Sequence, residues 1–251
     1  LPIYDLPPLQ HGPQVWLGSA MAASTDWIEP LSPADIAEIE AAAAPLADRG
    51  ADIAALTAAD FPLPTLAARL ARIRHTVLEG RGFVLLRGLP VQRWPLRLSA
   101  TAFYGLGLHL GRAVSQNAAG HVLGHVRDLG LKSDDPQVRI YQTAERQTFH
   151  TDSCDIVGLL CLQTAKQGGD SALVSTGAVW NAVLQQRPDL AAELLQPVAT
   201  DRRGEVPPRL PDVLPVDAPQ DRFAFVLAEN ETPLWTHRSA EEWPLTAGKV
   251  H

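Results

Sequence analysis

The run Ile156-Val157-Gly158-Leu159-Leu160-Cys161-Leu162, set between His150-Thr151-Asp152 and Gly168-Gly169, constrains this chain more than any other feature in it. A short apolar run rich in branched side chains and bounded by turn formers reads as a strand buried on both faces. The polar triplet before it is expected on an extended segment. Alternate side chains there share a face, so His150 and Asp152 point one way and Thr151 the other. An imidazole and a carboxylate so placed can serve one metal ion. Two histidines and one carboxylate on one face, with open positions opposite, is the arrangement of non-haem Fe(II) oxygenases. Taken alone, the triplet is more often a surface hydrogen-bonded pair than a metal site.

At 251 residues the chain is long enough for one large domain with a substantial core, and nothing argues for two. The 21 Lys and Arg against 28 Asp and Glu leave a net charge of −7, so no basic footprint invites nucleic acid or an acidic membrane surface. A small molecule is the expected partner, and homo-oligomerisation is left open. No apolar stretch of about 18 residues is present to span a bilayer, and Leu1-Pro2-Ile3-Tyr4-Asp5 does not look like a signal peptide. Cys154 and Cys161 read as small buried hydrophobes of a reducing, cytoplasmic compartment rather than as a disulfide. Cys154 shares the parity of His150 and Asp152, which leaves a thiolate ligand as its alternative.

The first third of the chain reads as helices. Ser32 caps one with Pro33 at its first position, running to about Leu46. Thr65 caps a second, in which Leu66, Leu70, Ile73 and Val77 recur at helical spacing before Gly80 stops it. A third covers Ser99 to Leu110. Strands are expected over Gly82–Gly88, Val138–Thr143 and Ala172–Ser175, and helices over Gly177–Gln186 and Asp189–Leu195 on either side of Pro188. His109 falls on the third helix, and His121 and His125 flank a Val-Leu-Gly turn.

With FHTDSCD at 149–155, LLCLQTAKQGGDS at 159–171 and AVWNAVLQQRPDL at 178–190, the chain resembles the taurine dioxygenase and 2,4-dichlorophenoxyacetate dioxygenase family of Fe(II)/2-oxoglutarate oxygenases. GRGFVLLRGLPV at 80–91 and LGRAVSQNAAGHVLGHVRD at 110–128 extend the resemblance over roughly residues 60–207. It implies a mainly β architecture with flanking helices, the double-stranded β-helix or jelly roll. That gives a single domain over 1–251, helical over about 30–110, with a core over about 80–251 that is incomplete at its C-terminus. It also implies that Fe(II), 2-oxoglutarate and O2 are used to hydroxylate a small molecule, with or without later cleavage, releasing succinate and CO2.

The resemblance assigns His150 and Asp152 to the metal and puts a second histidine on a late strand. His237, in Leu234-Trp235-Thr236-His237-Arg238, is the choice there, with His251 the alternative. Ser171 stands where the family has a threonine that holds the co-substrate carboxylate. The family's arginine for the distal carboxylate is absent, and Lys249 is the substitute, a point charge in place of a bidentate fork. Gln116 and Asn117 are candidate substrate contacts. Two other readings stay open: a degenerate family member that binds without turnover, and a cupin-like metal-dependent hydrolase or isomerase.

Overall fold

The structure, a computed structural model, describes residues 6–115, 120–134, 138–152, 154–195 and 222–228. In chain order its elements are α1 (Gly18–Ala22), β1 (Ile28–Pro30), α2 (Pro33–Asp48), α3 (Leu66–Glu79), β2 (Leu85–Arg87), α4 (Leu96–Leu108), β3 (Arg112–Ala113), β4 (Leu123–Val126), β5 (Ile156–Cys161), α5 (Thr176–Gln186), α6 (Pro188–Leu194) and β6 (Arg222–Ala228). Short 3-10 turns occupy Ile53–Ala55, Ala58–Asp60 and Ile140–Gln142.

Helix α2 begins as its sequence predicts. The Ser32 hydroxyl accepts from the Asp35 N–H at 3.1 Å and the Asp35 carboxylate accepts from the Ser32 N–H at 2.8 Å, with Pro33 at the first helical position. Helix α3 starts where expected but not by the expected chemistry. Thr65 makes no side-chain cap; instead Glu38, on α2, accepts from the Thr65 and Leu66 N–H groups at 2.8 and 3.0 Å. A carboxylate at a helix start satisfies orphan donors and meets the positive end of the dipole. Arg69 ties three elements together, reaching Glu29 at 2.6 Å, Asp35 at 3.1 Å and the Pro30 carbonyl at 2.8 Å.

These contacts hold the Asp35 carboxyl below its ordinary value of 3.8, chiefly through the Ser32 N–H, helped by the Ser32 hydroxyl and the Arg69 charge and opposed by burial. The folded state therefore favours the carboxylate. Its contribution is whole above pH 3.8 and is lost as pH falls through the lower folded value. Denaturant titrations of the parent and of Asp35→Asn are expected to differ at pH 7 and to converge at the acid end of the folded range.

The core is assembled from Ile39 and Ala43 of α2, Leu66, Leu70 and Ile73 of α3, Ala102 and Phe103 of α4, and the fully buried Phe61. Ile156 and Leu160 of β5 pack into the same core, while Val157 and Leu159 join Cys154 in a smaller cluster. Alternate residues of β5 thus find apolar cover on opposite faces, which is why the run carries no polar alternation.

Two sheets are present among the described residues. β1 and β2 pair in parallel, with Ile28 opposite Leu85. β6 is the hub of a second, four-stranded sheet in which every pairing is parallel. β3 and β4 share one of its edges, since Phe223 meets both Ala113 and Ile156 and Phe225 meets both Leu123 and Gly158, and β5 takes the other.

The expected mainly β architecture is not borne out among the described residues, which hold more helix than strand. Two expected strands contribute to the difference. Residues 138–143 form a turn, closed by the Thr143 hydroxyl on the Ile140 carbonyl and by the Gln142 amide on the Arg139 N–H. Ala172–Ser175 is a loop, because Ser175 is used as the N-cap of α5. Strand β2 is shorter than the expected Gly82–Gly88, and Gly124 lies on β4 rather than in a turn.

Residues 8–14 form a strap across α5. The Gln10 N–H donates to the Asn181 carboxamide oxygen at 2.6 Å, and the Asn181 amide donates back to the Gln10 carbonyl at 2.8 Å. Trp180 donates to the Pro8 carbonyl and the Ser175 hydroxyl to the Gln14 carbonyl.

Candidate metal centre

The segment that carries His150 and Asp152 is held at both ends. Upstream, the chain following β4 is bonded to the Ile140 turn through Arg127 N–H to the Tyr141 carbonyl and Leu129 N–H to the Gln142 carbonyl. Ser133 and Glu145 are also joined, with the Ser133 hydroxyl donating to the Glu145 carboxylate at 2.6 Å. That hydroxyl and the Ser133 N–H hold the Glu145 carboxyl below its usual range. Downstream, Cys154 and Asp155 are buried at the head of β5, so the two candidate ligands sit beside the beginning of a fixed strand.

Residues 149–152 are not on a strand, contrary to expectation. A local bond shapes them instead: His150 Nδ1 lies 2.8 Å from the Thr148 carbonyl oxygen. A carbonyl can only accept, so Nδ1 carries a proton, and in the neutral ring the lone pair is then at Nε2. That nitrogen lies 3.9 Å from Asp152 Oδ1, beyond hydrogen-bond range, which removes the simple hydrogen-bonded pair as the reason for the triplet. Both side chains stay accessible, His150 at 33% and Asp152 at 47%.

This donor set fits a divalent transition metal. Metal-bound histidine typically gives its other ring N–H to a carbonyl or carboxylate, which fixes the ring and its tautomer, and the Thr148 carbonyl does this here. Adjacent ligands at about 2.1 Å from one ion are about 3 Å apart, so rotation of either exposed side chain would bring the pair to bonding distance. Among the described residues no group of three metal-binding side chains is brought together. His237, His251 and Lys249 lie outside the described residues, as do Gln116 and Asn117.

Ser171 is exposed on the loop between β5 and α5. Before it, Gly168 and Gly169 have φ of 71° and 73°, two successive left-handed residues that glycine alone takes freely. Cys154 is buried and Cys161 partly so, with no disulfide. His109 ends α4 with Nε2 at 2.8 Å from the Phe61 carbonyl, and His121 and His125 are exposed, the latter on β4. Sequence reasoning missed Gln147, whose amide nitrogen lies 2.9 Å from His150 Nε2. A glutamine three residues before a histidine belongs to no motif, so nothing in the sequence could have marked it.

Comparison with known proteins gives concordant results. The family model described as taurine catabolism dioxygenase TauD, TfdA family matches residues 43–242. FR-33289 synthase of Streptomyces rubellomurinus (strain ATCC 31215) is 33% identical over 201 residues, covering 80% of this chain and 59% of that protein. Taurine hydroxylase-like protein SAT17 of Stachybotrys chartarum (strain CBS 109288 / IBT 7711) is 32% identical over 186 residues, 71% of this chain and 48% of that protein. The chain thus spans about half the length of these relatives.

Proposed function

Because this chain belongs to the TauD/TfdA family, whose members are Fe(II)/2-oxoglutarate-dependent oxygenases, we propose that it is a dioxygenase that hydroxylates a small molecule, with or without later cleavage. The observation that carries the assignment to particular residues is the His150 ring, fixed through Nδ1 by the Thr148 carbonyl so that Nε2 faces away from it, 3.9 Å from the Asp152 carboxylate. His150 and Asp152 would hold the metal, with His237 as third ligand. Ser171 would donate its hydroxyl to the carboxylate of 2-oxoglutarate, and Lys249 would offset the charge of its distal carboxylate. Bound Fe(II), with 2-oxoglutarate and O2, supplies the oxidising chemistry: one oxygen atom enters the substrate and the other enters succinate as CO2 is lost.

The chain's own work is to present one neutral imidazole and one carboxylate at the head of β5, with the ring fixed by the Thr148 carbonyl. The double-stranded β-helix of the family is the architecture we assign to the complete barrel, and its mouth is where ligands of such folds bind. A cytoplasmic location accompanies this reading.

Anaerobic addition of Fe(II) and 2-oxoglutarate is the direct test. The weak visible charge-transfer band of the chelate is expected in the parent and not in His150→Ala. Absence of the band from folded parent protein would remove the oxygenase assignment. Metal binding without 2-oxoglutarate would then indicate a hydrolase or isomerase, and binding of neither would indicate a degenerate member.

A further inference from the structure

The Gln147 side chain stands where a metal would have to arrive. Its amide nitrogen is 2.9 Å from His150 Nε2, and on the other side of the ring Nδ1 is 2.8 Å from the Thr148 carbonyl. These two bonds fix each other's direction. In the neutral ring, with the Nδ1 proton given to the carbonyl, Nε2 has only a lone pair to offer. The group facing it must therefore be the NH2 end of the Gln147 amide and not its oxygen. One lone pair cannot bond a proton donor and a metal ion together. Asp152, at 3.9 Å, is left out of this exchange and keeps its carboxylate accessible.

We propose that Gln147 is a positioning residue that caps the metal-binding lone pair of His150 in the metal-free protein and must swing aside when the ion is loaded. This rests on the assignment of His150 as a ligand. The cap has two consequences. It keeps the imidazole in the tautomer that metal binding needs, and it makes metal binding compete with a hydrogen bond already made. A neutral hydrogen bond contributes about 0.5–1.5 kcal/mol net, so removing this one should tighten metal binding about three- to tenfold. Gln147 is exposed and can be exchanged without opening the core.

The test uses Gln147→Leu, which leaves a branched side chain one atom shorter and removes the amide. Two readouts are taken: Co(II) titration followed by visible absorption, and imidazole 15N chemical shifts of the metal-free protein. The expected result is Co(II) binding about three- to tenfold tighter than in the parent, with the His150 Nε2 resonance moving toward that of an uncapped ring while Nδ1 stays protonated. An unmoved resonance would overturn the proposal. So would Co(II) affinity that is unchanged, or weaker, which would make Gln147 a support for the site and not a cover. Should the parent bind Co(II) no better than His150→Ala, the metal-ligand assignment itself fails. The nitrogen shifts of the two metal-free proteins still show in that case whether the cap exists.

Discussion

Asp152→Ala protein is expected to bind Fe(II) at least about a hundredfold more weakly than the parent and to form no succinate above background, while unfolding at the same temperature. The size follows from how metal sites respond to damage. Changes in groups that merely orient a ligand already cost 10–100-fold in affinity, and loss of a carboxylate ligand removes both a donor and a negative charge that offsets the ion. The selectivity follows from position. The Asp152 side chain is 47% exposed and makes no hydrogen bond among the described residues, so surface behaviour within about 0.5 kcal/mol is expected for stability. Calorimetric Fe(II) titration under nitrogen, beside a thermal melt, checks both halves. Equal Fe(II) affinity in the two proteins would remove Asp152 from the metal centre.

The second large effect concerns Gly105 and leaves the site untouched. Gly105 lies in α4, and an added Cβ would fall within the ring of Phe61, against its Cγ, Cδ2 and Cε2. Phe61 is wholly buried, and its carbonyl is held by His109 one turn further along the same helix. The ring has no solvent to turn into, and a shift of the Phe61 backbone away from α4 would strain that bond. Overpacking of this kind costs about 1–3 kcal/mol and occasionally more, and here the clash is with the body of a ring and not with a flexible tip. Gly105→Ala is therefore expected to lose about 3 kcal/mol, a fall of roughly 6–12 °C in Tm for a domain of this size. Phe61→Leu should destabilise the parent but recover part of the loss in the Gly105→Ala background, and purely additive losses would show that the two residues do not share the space.

Helix starts set by near neighbours were legible in the sequence. Ser32, Pro33 and Asp35 fix the start of α2 within four residues, and the apolar period of α3 locates its buried face. The cap on α3 was not legible as such, because Glu38 arrives from 27 residues away and only the folded pairing of α2 with α3 selects it over Thr65. Alternation misled at 138–143 because polar and apolar residues also alternate where a turn satisfies its own backbone through Gln142 and Thr143. Spacing brought out His150 and Asp152 as a pair, but not the means by which the ring is oriented, since the Thr148 carbonyl is a backbone atom that every residue type provides. Ser171 was a reading from resemblance, and the structure adds that its loop turns on two left-handed glycines.

The strap between residues 8–14 and α5 bears on the order in which the molecule is made. Helices α2, α3 and α4 meet across a few tens of residues and can form while the chain is still being synthesised. The Gln10–Asn181 and Gln14–Ser175 bonds span 171 and 161 residues, so the earlier segment must wait until the later helix exists. Closing so long a loop costs only slightly more than closing a short one, but it delays the contact. The stretch that follows β5, with its glycine bend and Ser171, is thus among the parts of the protein fixed late in folding, after the helical core beneath β5 is already in place.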